Sequence, residues 1–179
     1  MTRNPLYRDA PIYCHPYFDL IPTDQLMDAL EYSARETNRV FGFIEPENEN
    51  YAYTLNKWTT KEVIRHIIDC ERVYAYRALR FSRFDVSSLC GFDENEYVNN
   101  FNGTNYGLND LKNEYKCVRE SSILLFKNMT DKMLDFKGVA NQVEFTPKTL
   151  GFMIAGHNLH HINILETIYL GKNEFKQND

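Results

Sequence analysis

The chain has 179 residues, 43% of them hydrophobic and 25% charged, with a net charge of −5. That balance is the profile of one ordinary globular domain with a core of its own, spanning residues 1–179, and it excludes collagen-like, disordered and disulfide-stapled classes. No run of 18 or more apolar residues offers a membrane span, and residues 1–20 lack the continuous apolar stretch of a signal peptide. The four cysteines, Cys14, Cys70, Cys90 and Cys117, form no C-x-x-C pair, which points to a reduced, cytoplasmic setting.

Residues 1–22 carry two aromatic clusters punctuated by Pro5, Pro11, Pro16 and Pro22, and are expected to form an extended arm packed on the body, with His15 among its aromatic residues. A first helix is expected over about 23–44, with Thr23 as its N-cap and Leu26, Leu30, Ala34, Thr37, Phe41 and Ile44 as its apolar stripe. A second, about 60–83, has the strongest start signal: Thr59 and Glu62 make a capping box, with Trp58 placed to staple onto Val63. Its apolar face is Val63, Ile67, Cys70, Val73, Tyr74, Ala78 and Phe81, and His66 falls in the same arc.

A long Asn- and Asp-rich connection over 84–106 is expected to cross one end of a bundle. The third helix, about 107–130, repeats Leu108, Leu111, Tyr115, Val118, Ser122, Leu125 and Met129 at alternating spacings of three and four, a bundle seam. After a connection in which Val143–Phe145 reads as a short strand, Thr146 and Pro147 supply an N-cap and a first-turn proline. The fourth helix, about 147–170, ends at Gly171, and its seam is Leu150, Ile154, His157, His161, Ile164 and Ile168. The fold class is therefore all-α, a four-helix bundle with long crossover connections.

His157 and His161 occupy successive core positions of an otherwise aliphatic seam. At i and i+4 they share one face, and two ring nitrogens can reach one ion. The residues alone leave a hydrogen-bonded core pair as the alternative. His66 on another helix adds a third imidazole if the second and fourth helices are neighbours. His160 competes with His161 for the face of His157 and is otherwise a neighbour of the site or a surface residue. Asp69 is a candidate base, set against ion pairs with Arg65 or Arg72. Arg77 is a candidate contact for an anionic substrate, set against a salt bridge across the bundle. Cys70 can be a soft ligand or a small buried hydrophobe, and Tyr74 and Asn158 are candidate pocket residues. The basic residues of the second helix, Arg65, Arg72, Arg77, Arg80 and Arg83, alternate with Glu62, Asp69, Glu71 and Asp85. That pattern reads as surface ion pairing and not as a track for nucleic acid.

The stretch Lys57-Trp58-Thr59-Thr60-Lys61-Glu62-Val63, continuing through His66 and Asp69 to Phe81, resembles a signature of the DinB-like (YfiT-related) superfamily of metal-dependent enzymes. Gly91-Phe92-Asp93, Tyr97-Val98 and Ala155-Gly156-His157-Asn158-Leu159-His160-His161 resemble it too, so the likeness covers about residues 10–170. The resemblance implies a four-helix bundle with one histidine from the second helix and an H-x-x-x-H pair from the fourth: His66, His157 and His161. It implies one divalent ion, zinc or nickel, a homodimer, and a small-molecule substrate. The chemistry it implies is either hydrolysis or transfer of a low-molecular-weight thiol to an electrophile; a bundle that binds a metal or small molecule without catalysis is the alternative.

Overall fold

The computed structural model describes residues 5–101 and 106–171. Four long helices carry the fold: α2 (Leu26–Phe41), α3 (Thr60–Ser82), α5 (Leu108–Lys127) and α7 (Pro147–Ile164), the last continuing as a π-helical turn over Leu165–Tyr169. Shorter pieces fill the connections: α1 (His15–Phe18), α4 (Glu94–Asn100), α6 (Asp131–Leu134), and an antiparallel hairpin of β1 (Gly138–Ala140) and β2 (Val143–Phe145). Among the described residues no helix is long and apolar enough to cross a membrane.

The long helices pack in the ring order α2, α7, α3, α5, with α5 closing back onto α2. The sequence neighbours α2 and α3 are thus diagonal, as are α5 and α7, so the connections between them must cross an end of the bundle; α3 and α5 stand side by side, joined by the long 84–106 connection. Leu30, Ile64, Ile67, Ile68, Leu111, Leu150 and Ile154 fill the interior. At roughly 1.5–3 kcal/mol per fully buried aliphatic side chain, this interior is the main stabilising term, opposed by chain entropy. A second tie is polar. Arg119 of α5 donates to both oxygens of Glu71 on α3, at 2.9 and 2.8 Å, and to the Leu30 carbonyl and Ser33 hydroxyl of α2. One guanidinium thereby locks three helices.

Local signals explain most boundaries. Both halves of the Thr59–Glu62 capping box form, and Thr146 caps α7 by accepting from the Thr149 N–H. Gly171 takes φ +64°, the left-handed conformation that ends a helix. Two expectations need correcting. The Thr23 hydroxyl accepts from the Gln25 N–H two residues on, a local turn that competes with capping, so α2 begins only at Leu26. The arm is not extended. Its prolines start short helical turns, Pro5–Tyr7, Ile12–Cys14 and α1, where a fixed φ suits the first turn. The arm buries Cys14, Phe18 and Ile21 against the body. The 84–106 connection likewise contains α4, capped by the Asp93 carboxylate.

Candidate metal centre

Because α3 and α7 are neighbours in the ring, His66, His157 and His161 meet between them. Their Nε2 atoms form a triangle with every edge 3.1 Å. In a neutral imidazole each such nitrogen is either a donor or an acceptor. Three in a closed triangle must therefore set at least one like pair against each other. A shared cation removes the conflict, because every nitrogen then presents its lone pair. Nitrogens bound tetrahedrally to one ion at about 2.0–2.1 Å stand about 3.4 Å apart, so the triangle needs little adjustment. The three histidines fit a divalent ion and would leave further coordination positions free.

The surroundings keep the rings neutral, which is the ligand form. Burial, with His160 nearby, pushes His66 down to about 4. Burial also lowers His157 and His161 well below the ordinary histidine value, helped by the neighbouring imidazoles. The Trp58 ring, expected as a staple onto Val63, lies against His66 with centroids 4.7 Å apart. The Cys70 sulfur lies 3.6 Å from His66 Nδ1 and 3.8 Å from its Nε2, against the edge of the ring between the two nitrogens. Burial raises the Cys70 thiol, so in the metal-free protein it stays protonated at neutral pH.

The triangle opens into a cavity of about 390 Å³ lined also by Tyr13, Tyr17, Tyr74, Arg77, Phe92 and His160. Tyr74 and Arg77 thus fall where a substrate would contact them. His160 does not join the triangle; its half-buried ring sits 5.0 Å from that of His161 and 5.3 Å from that of Tyr17. Two candidates fall elsewhere. Asn158, one step around α7 from His157, turns to α2 and donates to the Thr37 hydroxyl. Asp69 lies 3.7 Å from Arg65 and 3.8 Å from Arg72, in a network those arginines share with Glu114, and does not line the cavity. The expected surface ion pairing of the α3 arginines is found for Arg72 and Arg80, whereas Arg65 pairs with Glu114 as a buried residue.

Sequence reasoning missed the arm's share of the wall. Gly156 lies so close to the Tyr17 backbone that a β-carbon there would stand 2.5 Å from its carbonyl oxygen. That contact seats α1 on α7 and carries the Tyr17 ring to 5.7 Å from His157. The glycine beside His157 was the available signal. A larger depression of about 880 Å³, lined by Tyr7, Arg8, Asp9, Asp24, Lys137 and Lys148 among others, mixes charges of both signs and holds no histidine.

The family model of the DinB superfamily matches residues 29–165, which include all three histidines and the two helices that carry them. The chain belongs to the DinB superfamily. Among solved structures, this DinB-superfamily chain is similar to YfiT from Bacillus subtilis, described as a probable metal-dependent hydrolase with an unusual four-helix bundle topology. The likeness has a TM-score of 0.66 at 15% identity and covers 80% of this chain and 85% of that one. At that identity it establishes the shared fold. No curated protein matches the sequence.

Proposed function

We propose that this DinB-superfamily protein is a metal-dependent enzyme whose three histidines hold one divalent ion, zinc or nickel, and that it hydrolyses a small-molecule substrate. The observation that carries the reading is the 3.1 Å triangle of Nε2 atoms at the end of an open cavity. Three protein ligands with room beside them are the pattern of a catalytic site, whereas structural ions take four. When bound, the ion supplies Lewis acidity, polarising a carbonyl or lowering the pKa of water or a thiol.

The protein residues supply the rest. His160 lines the cavity beside the triangle, and burial lowers its pKa, so its ring is neutral at pH 7 and can accept a proton from the attacking group. The Trp58, Tyr17 and Tyr74 rings pack against His66 and His157 and keep water from the ligand nitrogens. Arg77 offers positive charge along the cavity wall.

A second reading, transfer of a low-molecular-weight thiol to an electrophile, is favoured by one observation. The only carboxylate lining the cavity among the described residues is Glu94, exposed on α4. Hydrolysis would then rely on the ion and the weakly basic His160 alone to activate water, whereas a thiol is acidic enough to react with less help. The test is to load the protein with zinc or nickel and assay it on activated esters alone, and on model electrophiles with a panel of small thiols. Turnover of esters without thiol, lost in His160→Gln, supports hydrolysis. Thiol-dependent consumption of the electrophile supports transfer. No turnover in either assay, with metal bound, contradicts both.

A further inference from the structure

Along α3, His66, Cys70, Tyr74 and Arg77 follow at spacings of four, four and three, so they form one stripe, and all four line the cavity. His66 and Arg77 are eleven residues apart, about 16 Å along the axis at ~1.5 Å per residue, less the reach of their side chains. The cavity is therefore elongated, with imidazoles at one end and a guanidinium at the other.

Arg77 differs from the other buried arginines. Arg65 is held by Glu114 at 2.7 and 2.6 Å, and Arg119 by Glu71 at 2.9 and 2.8 Å. Arg77 is only 5% exposed, yet no carboxylate among the described residues lies within ion-pair distance of it. One Nη donates to the Cys90 carbonyl at 3.0 Å, and the group lies 5.7 Å from the centroid of Phe92. A guanidinium has five N–H donors, and none of the Arg77 nitrogens is sealed from solvent without a partner. Its unused donors therefore open into the cavity.

A buried cation without a protein counter-charge is costly, and an anion that enters the cavity removes that cost. The planar fork matches a carboxylate with two parallel hydrogen bonds. Glu94, also lining the cavity, opposes multiply charged anions and so favours a carboxylate over a phosphate dianion. Tyr13, Tyr74, Phe92 and Phe145 supply an aromatic wall around the cavity. We propose that Arg77 determines specificity by anchoring the carboxylate of an elongated, partly aromatic monoacid whose reactive group lies at the three histidines. The anchor itself stands on the cavity; that its ligand reacts rests on the metal-centre reading above.

The probes are 3-phenylpropionate and its isosteric amide, 3-phenylpropanamide, titrated calorimetrically into the protein as isolated and after chelation. The acid binds about tenfold or more tightly than the amide, as expected for hydrogen bonds to a charged group. The preference holds without metal, disappears in Arg77→Gln, and survives in part in Arg77→Lys. Equal binding of acid and amide by the metal-free wild type overturns the proposal whether or not the variants fold. An undiminished preference in a folded Arg77→Gln overturns it too. Acetohydroxamate, a neutral chelating probe, tests the other end separately. If it fails to bind zinc-treated protein while the acid preference persists, the metal reading falls and the anchor stands.

Discussion

Gly156→Ala separates two opposing effects whose magnitudes decide the sign. Inside a helix, alanine is favoured over glycine by about 1 kcal/mol, so an unobstructed position would gain stability. Here the added β-carbon would lie 2.5 Å from the Tyr17 carbonyl oxygen and 2.8 Å from its carbon. Both are backbone atoms, so relief requires α1 to move and not merely one side chain to rotate. Overpacking of that kind costs about 1–3 kcal/mol, and a backbone obstacle belongs in the upper half of the range. The net expectation is a loss of about 1–2 kcal/mol, read by urea denaturation and as a lower Tm. A second readout is weaker binding of aromatic probes, because Tyr17 forms part of the cavity wall. A variant as stable as wild type, or more so, would refute the reasoning that α1 is seated on this glycine.

Cutting Glu71 back to alanine strands the Arg119 guanidinium in the core and should cost about 3–5 kcal/mol in denaturant unfolding; the double change Glu71→Leu with Arg119→Met should recover part of that loss. Thr59→Ala removes the hydroxyl half of the α3 capping box and should lower stability by about 1 kcal/mol in the same assay. In metal-free protein His66 titrates at about 4, below the ordinary 6.5 of the unfolded chain. Between those values the unfolded chain holds the extra proton, so stability present above pH 6.5 falls as pH drops toward 4, by about 3 kcal/mol from His66 alone. His157 and His161 act in the same direction, and an acid titration followed by circular dichroism should be visibly flatter in a folded His66→Phe variant.

Periodicity and capping made much of this legible. Thr59-x-x-Glu62 marked the start of α3 to the residue, and the aliphatic seam of α7 singled out His157 and His161. What stayed illegible depends on distance in sequence. The Glu71–Arg119 tie joins residues 48 apart, and both look like surface charges when each helix is read alone. His157 and Asn158 are neighbours in the chain, but a rotation of about 100° sends one to the cavity and the other to α2. The arm was misjudged because prolines break long helices but also start short ones, and the spacing of Pro5, Pro11 and Pro16 suits single turns. Arg77 carried two readings in sequence, and only the arrangement of α4 and the cavity left it without a salt-bridge partner among the described residues.

The most direct measurement is the metal content of purified protein set beside His66→Ala, His157→Ala and His161→Ala, each checked for helical content. Close to one equivalent of zinc or nickel in the wild type, with large loss in every folded variant, is the predicted result. A wild type that takes up no divalent ion when offered it, or a His66→Ala variant that keeps full occupancy, would contradict the three-histidine centre.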